Sequence, residues 1–561
     1  SSHGGVVTSG FSKDTKKPHH NYLEILTKWC QSEFAHPKAK AVLNYVNKGT
    51  VVKDLVDHQI LFVGRDRKFL DKSDIERDKN AKDIFSVIAS QEDAFIRWVV
   101  EAPNVLESKV WKDKTLWNSW KNYYLNGKEK ESLCFVTGED AILTTNHPKY
   151  IRREGDGAKL ISSNDTSGFT YRGRFLTDAQ ACNVGLEVSQ KAHYALSWLI
   201  SRQGYRKGDL AIVAWATSGV SIPKITDDPL AMLLGELPID APITAFTAQD
   251  VAVKLKKKIA GYGKEVGKTT DIVVMGLDSA SPGRLAIIYY RELTGSDFLQ
   301  RIDDWHDSCA WLHRYGFIEI QDEKSNKPKK KYIPFIGAPT PNDIAEAVYG
   351  SHIDDKLRKT TIARILPCII DGQPIPRDLV ESAVRRASNR VGMSNEYEWN
   401  KTLSIACALF KKSKFKKSNE KENYDMALDP NRKTRDYLYG RLLALAESLE
   451  EWALNKAGED RPTNAARLMQ RFSERPYSAW RTIELALTPY KARLGGKSKK
   501  RQRMIDDVVS SFNDNDFLSD KRLSGEFLLG YHCQREFLRN SRVEDLGDDT
   551  ETAETTNNTN Q

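Results

Sequence analysis

The sequence predicts an α+β protein: a mixed α/β N-terminal region with antiparallel β-elements, followed by an all-α C-terminal helical bundle. Three observations carry that prediction. Around Leu133 helical periodicity gives way to short runs rich in β-branched and aromatic residues, separated by Gly, Ser, Asn and Asp. Near residue 340 those runs stop and helical spacing takes over. The chain has 561 residues, too many for one core of ordinary size, so about three domains are expected.

Residues 1–20 show no periodicity and read as a flexible lead. Residues 21–130 read as mostly helical, from NYLEILTKWC through FSVIASQEDAFIRWVVE. Residues 131–340 read as a β-rich region. Its strand candidates are LCFVTGED, KLISSND, GFTYRGRF, LAIVAWA, DIVVMGLD and RLAIIYYREL, and the last two, joined by SASPG, read as an antiparallel hairpin. One helix lies among them, from about Gly185 to Ile200, with Val188, Ala192, Ala195, Leu196 and Leu199 on one face. A second, DFLQRIDDWHDSCAWLHRYG, carries the apolar stripe Phe298, Ile302, Trp305, Cys309 and Leu312. Residues 341–546 read as the bundle. There TRDYLYGRLLALAESLEEWAL sets Leu438, Leu442, Leu445, Leu449 and Trp452 at helical spacing, a stripe that neighbouring helices must bury. Residues 547–561 are acidic, poor in apolar groups and expected to be disordered.

Hydrophobic residues make up 40% of the chain, ample for packing, yet no run approaches the ~20 apolar residues that span a bilayer. The opening SSHGGVVTSG lacks the plan of a secretion signal. Seven cysteines, Cys30, Cys134, Cys182, Cys309, Cys368, Cys407 and Cys533, are scattered singly without a CxxC, which argues against a disulfide framework and a ribbon-type zinc site. A reducing cytoplasm is the expected compartment. Net charge is +9, and the cations come in blocks: KLKKK at 254–258, KPKKK at 327–331, KKSKFKK at 411–417 and KARLGGKSKKRQR at 491–503. A single block is commonly a solvated loop; several that converge in a fold can follow a polyanion.

Two motifs suggest chemistry and fail on inspection. GYGKEVGKTT, residues 261–270, ends in the Gly-Lys-Thr of a phosphate loop, but Tyr262 stands where glycine is required, and a helix precedes and a strand follows it. It reads as a helix-to-strand turn. His306, Cys309 and His313 could be metal ligands on neighbouring helical turns, but Cys309 continues an apolar stripe and no fourth ligand is near in sequence. The densest polar cluster is HPKYIRREGDGAKLISSNDTSGFTYRGRF, residues 147–175, which interleaves Lys149, Arg152, Arg153, Lys159, Arg172 and Arg174 with Tyr150, Phe169, Tyr171 and Phe175, and adds Ser163 and Asn164. Cations neutralise phosphates, aromatic faces stack on bases, and Asn or Ser reads base edges or the sugar-phosphate chain. The basic blocks support a stand-alone nucleic-acid-binding protein, and the His306, Cys309 and His313 set a metal-dependent nucleic-acid enzyme.

The run CFVTGED, HPKYIRR, KLISSNDTSGFTYRGRF and NVGLEVSQKAHYALSWLI, with DPNRKTRDYLYGRLLALAESLEEWAL, FSERPYSAWRTI and FLLGYHCQREFLR further on, resembles the large subunit of the type I-C CRISPR surveillance complex, Cascade, over about residues 21–539. The resemblance implies a prokaryotic cytoplasmic protein with no catalytic activity, cofactor or metal of its own. It implies recognition of the protospacer-adjacent motif in double-stranded DNA, help in opening the strands, and support of the displaced non-target strand in the R-loop. Guide CRISPR RNA, the backbone and small subunits and a separate helicase-nuclease are the implied partners, and a membrane is not. Motif reading falls to Lys159, Ser163, Asn164, Arg172 and Arg174, with Asn164 the favoured base reader and Asn183 and Lys191 contributing. Lys499, Lys500, Arg501 and Arg503 are expected to hold non-target strand or heteroduplex. The family also makes its C-terminal bundle separately as the small subunit, for which Met426 is the candidate start. Its members usually open with a methionine and a β-rich stretch that this chain lacks, so DNA recognition by the N-terminal half is expected to be weakened.

Overall fold

The computed structural model describes residues 16–64, 69–70, 91, 96–103, 105–126, 131–162, 175–226, 248–281, 283–321, 328–416 and 424–555. The chain forms two compact units, one of residues 1–146 and 163–191, the other of residues 147–162 and 192–561. The β-rich stretch 131–340 is therefore shared between them.

In the first unit, α1 (Lys16–Gln31), α2 (Pro37–Asn47), α3 (Val51–Asp57) and α4 (Lys114–Asn126) enclose Leu26, Trp29, Val42, Val46, Val51 and Leu116. Asp113 opens α4 by accepting from the Thr115 and Leu116 amides, and it pairs with the buried Lys38 ammonium at 2.5 Å. Lys38, together with the Thr115 hydroxyl, holds the Asp113 carboxyl well below the usual range. Of the helix expected through FSVIASQEDAFIRWVVE, residues 85–90 and 92–95 lie outside the described residues, and its described end, residues 96–101, is not helical. Val99 instead bridges Lys109 antiparallel, and the Val100 amide donates to the Ser108 carbonyl at 2.9 Å. Ile96, Trp98, Val99 and Val100 favour extended backbone, and Pro103 closes the stretch. LCFVTGED is a turn between two short strands, β1 (Glu131–Leu133) and β2 (Asp140–Ile142), with Gly138 at φ 72°. After α5 (Asp178–Ala181) comes α6 (Leu186–Gln203), whose residues to Lys191 belong to the first unit and those from Ala192 to the second.

The second unit is built on a four-stranded antiparallel sheet, in the order β3 (Tyr205–Lys207), β4 (Leu210–Ala216), β5 (Asp271–Ser281) and β6 (Arg284–Thr294). The hairpin read from DIVVMGLD and RLAIIYYREL is β5–β6. Strand β4 is covered on both faces, which is why LAIVAWA is apolar throughout rather than alternating. Leu210, Ile212, Ala214, Ile272 and Val274 face the helical core; Ala211, Val213, Leu277 and Leu285 pack with Ile151, Ala158, Leu196 and Ile200. The sheet is thus the wall that carries segment 147–162 and the second half of α6. Helix α7 (Ala248–Val266) runs into the turn 267–270 before β5. Helix α8 (Gly295–Cys309) follows β6 and stops at Cys309 instead of running on to Gly316. Its C-terminal neighbour Ala310 is extended, and β7 (Trp311–His313) begins there, pairing further on with β10 (Phe335–Gly337). Between them lie β8 (Phe317–Gln321) and β9 (Pro328–Tyr332).

From Pro341 onward the described chain is helical: α9 (Pro341–Tyr349), α10 (Asp355–Ile370), α11 (Arg377–Ser388), α12 (Glu396–Lys414), α13 (Arg435–Ala457), α14 (Asn464–Glu474), α15 (Pro476–Ala486), α16 (Thr488–Leu494), α17 (Lys499–Val509), α18 (Asp514–Phe517) and α19 (Glu526–Thr555). One continuous core runs from Leu210 to Leu538, so residue 340 marks a change of secondary structure inside one core. Helix α13 is its axis, with Leu438, Leu442, Leu445 and Leu449 fully buried and Trp452 at the edge. Gly440 and Gly530 let α13 and α19 meet backbone to backbone: a Cβ on Gly440 would overlap the Phe527 carbonyl oxygen, and one on Gly530 the Tyr437 carbonyl. Helix α12 packs on the same pair through Trp399 against Tyr531, so a chain begun at Met426 would leave that face of α19 uncovered. The acidic end is helical to Thr555, past the point where disorder was expected; residues 556–561 lie outside the described ones.

Candidate nucleic-acid interface

Segment 147–162 is a tight loop pinned to the sheet. The Tyr150 amide donates to the Asp156 carbonyl at 2.9 Å, and Tyr150 itself takes φ 63°, a left-handed conformation unusual for a side chain of its size. Arg152 organises the loop from inside. It is 5% exposed, its Nε and Nη2 bond both Asp156 carboxylate oxygens at 2.8 and 3.0 Å, and its Nη1 reaches the Asp209 carbonyl. Burial pushes the Asp156 pKa up, and Arg152, the Ala158 amide and the Arg153 charge together more than reverse it. Arg152, expected as a phosphate contact, has its guanidinium committed to the fold; the i, i+4 pairing in RREGD explains the placement.

Around this strut the remaining cations turn outward. Lys149 and Arg153 are exposed, Arg153 with a long 3.6 Å contact to Asp209. Lys159 is half-buried and bridges β6 through its backbone, its N–H to Gly283 and its carbonyl from Leu285. Its pKa is lowered by burial first and then by the charge on Lys149. Ser163, Asn164, Arg172 and Arg174 lie outside the described residues, as does GFTYRGRF apart from Phe175. Asn183 and Lys191 belong to the first unit. Asn183 is half-buried with its carbonyl taking the Phe135 amide at 2.8 Å, and Lys191 is exposed and paired with Glu187 at 2.7 Å.

The C-terminal block divides by helical phase. On α17, Lys499, Lys500 and Arg503 fall within an arc of about 100° at 100° per residue, and all three are exposed. Arg501 falls with the buried Ile505 and Val508. Its guanidinium sits 4.4 Å from the Trp452 ring centre, and its Nε donates to the Ser448 hydroxyl at 3.1 Å, tying α17 to α13. Sequence reasoning also passed over Tyr194 and Trp198 on α6, because it marked only that helix's apolar stripe; their i, i+4 spacing away from the stripe was the available signal.

Neither rejected motif gains ground. Gly267, at φ 72°, turns the chain from α7 into β5 as expected. His306 and Cys309 end α8, whereas His313 lies on β7, held by Ser404 Oγ at 2.9 Å and the Gly337 carbonyl at 3.2 Å. Cys309 is fully buried, and burial pushes its thiol up to about 12. Among the described residues no group of three or more His, Cys, Asp or Glu side chains could hold a metal ion, and no helix is long and apolar enough to cross a membrane.

A comparison with curated proteins returns no match. A comparison with protein families matches residues 5–539 to the family described as CRISPR-associated protein (Cas_Csd1). That span takes in both units and every site residue discussed above. The chain therefore belongs to the CRISPR-associated protein (Cas_Csd1) family, the large subunits of the type I-C surveillance complex Cascade.

Proposed function

We propose that this large subunit acts without catalysis of its own. It recognises the protospacer-adjacent motif in duplex DNA, promotes strand opening, steadies the displaced strand and recruits the separate helicase-nuclease. The observation that carries the reading is the family match across nearly the whole chain. Guide pairing then reads most of the target, and protein reads a short duplex motif. The exposed cations Lys149, Lys499, Lys500 and Arg503 and the half-buried Lys159 support it, because sequence-independent affinity for DNA rests on phosphate neutralisation. Co-expression of a tagged chain with backbone subunits and guide RNA tests the assembly: a chain that stays alone while the others assemble around the guide would count against the proposal.

Two finer assignments have their own tests. Replacing Lys499, Lys500 and Arg503 by Ala is expected to weaken binding to every DNA sequence and flatten the plot of log affinity against log salt by roughly 2 to 3, at about 0.7–0.9 per phosphate contact. An unchanged slope removes α17 from the interface. Asn164→Ala is expected to cost about 1–3 kcal/mol on targets with the correct adjacent motif and far less on scrambled ones. Equal losses on both would reassign Asn164 to backbone contact.

A further inference from the structure

Helix α6 is amphipathic in an unusual sense. Its buried face, Ser189, His193, Leu196 and Ile200, is rotated from the expected stripe, of which Leu196 alone is buried while Ala192 and Ala195 are exposed, and its solvent face carries large rings where charged side chains would ordinarily stand. Tyr194 is 62% exposed and Trp198 is 55% exposed. The neighbouring loop is tied to this helix, the Ser197 hydroxyl donating to the Tyr150 carbonyl at 3.3 Å, and it carries a further exposed ring, Tyr150, 55% exposed and in a left-handed backbone conformation. The Arg202 guanidinium lies 5.0 Å from the Trp198 ring centre. All four residues belong to the second unit.

From this arrangement we infer that Tyr150, Tyr194 and Trp198, with Arg202, form a stacking platform for unpaired bases of single-stranded DNA. Three features favour that occupant over a protein. The rings are flanked by exposed cations, Lys149 and Arg153 in the loop and Arg202 on the helix, which complement a phosphate chain. Protein hot spots lie in a ring of contacts that excludes water, whereas these rings stand at a cationic, open rim. Residues four apart on a helix rise roughly 6 Å, nearly twice the ~3.4 Å base spacing of a duplex, so Tyr194 and Trp198 suit successive splayed bases and not a paired stack. The identity of the strand, the one displaced on target opening, rests on the function proposed above; the platform itself does not.

The test uses the full chain, a labelled 20-nucleotide oligothymidine, the matching oligouridine and a blunt 20-bp duplex, read by fluorescence anisotropy. Tyr194→Ala with Trp198→Ala is expected to weaken oligothymidine binding about tenfold per ring, to leave the duplex affinity near wild type and to leave the salt slope unchanged, since no charge is removed. Tyr194→Phe with Trp198→Phe should restore most of the loss. Both positions are exposed and Ala favours helix, so a far-UV circular dichroism spectrum like that of the wild type is expected. Wild-type affinity for oligothymidine in the Ala variant overturns the platform, and so does equal loss on the duplex. Failure of the wild-type chain to bind oligothymidine also overturns it. Ring-dependent preference for oligouridine overturns the assignment to displaced DNA, and intact DNA binding with lost subunit assembly makes the face a protein contact. If the rings govern oligothymidine binding but no guide-containing complex forms, the platform stands and the proposed function fails.

Discussion

Replacing Glu447 by Ala is expected to cost about 3–5 kcal/mol of stability, the range for removing one partner from a buried ion pair. Glu447 lies on α13 and is only 7% exposed. One carboxylate oxygen takes the Arg390 guanidinium, and the other takes the Tyr531 hydroxyl of α19. Burial pushes its pKa up, but Arg535, Arg390 and the Tyr531 hydroxyl together hold it below the ordinary value. Both guanidiniums also lie over the Trp399 indole of α12, Arg390 at 3.9 Å and Arg535 at 4.9 Å from the ring centre. Removing the carboxylate therefore leaves two like charges facing each other in the core. Glu447→Gln keeps an acceptor for Tyr531 and should lose less, and Arg390→Met in the Glu447→Ala background should recover part of the loss. Urea denaturation measures all three; a cost below 1 kcal/mol for Glu447→Ala would mean that water reaches the cluster. The next residue, Ser448, anchors Arg501 and so ties α17 to the same helix.

The parts legible in sequence are those set by periodicity over many residues. The β5–β6 hairpin and α13 follow from apolar spacing, and LAIVAWA follows from a run too apolar for a half-exposed strand. What was not legible depended on partners distant in sequence or on short-range competition. FIRWVVE has helical spacing, but its β-branched run is satisfied by pairing with residues around Lys109. The helix expected through His313 breaks at Ala310 because Trp311–His313 finds a strand partner some twenty residues on, at Phe335–Gly337. The cationic cluster at 147–175 was visible as composition, yet composition does not separate Arg152, whose charge is neutralised by Asp156, from Lys149 and Arg153 beside it. Arg501 differs from Arg503 only by helical phase, and that phase is defined once the start of α17 is known. Tyr194 and Trp198 are ordinary residues in composition and become informative through exposure.

Lowering the pH from 7 to 5 is expected to remove about 4 kcal/mol of stability through two histidines held neutral. Burial pushes His313 down to about 3 and His532 down to about 4. Around His313 the Gly337 carbonyl opposes the shift, while His532 and Lys401 add to it; around His532, Glu536 opposes and Arg535, Arg314 and Arg539 add. An unfolded histidine titrates near 6.5, so above that pH neither state binds the extra protons and stability does not change through these groups. Below it the unfolded chain takes up two protons that the native chain refuses. Through these two groups stability then falls at about 2.7 kcal/mol per pH unit until the native values near 4 and 3 are reached, and His306 and His147, both lowered to about 4 by burial, steepen the fall in the same window. The depressed carboxylates, Glu447 among them, act in a separate window below about 4.5. Urea midpoints between pH 7.5 and 5 read the slope directly. His532→Phe, which keeps a ring against Trp311, should lower it by about 1.4 kcal/mol per unit. A flat profile in the wild type would mean that the imidazoles reach solvent on the native side. Since the His313–Ser404 bond joins the β7–β10 pair to α12, and both pack in the core that the four-stranded sheet also shares, acid should loosen that core as a unit.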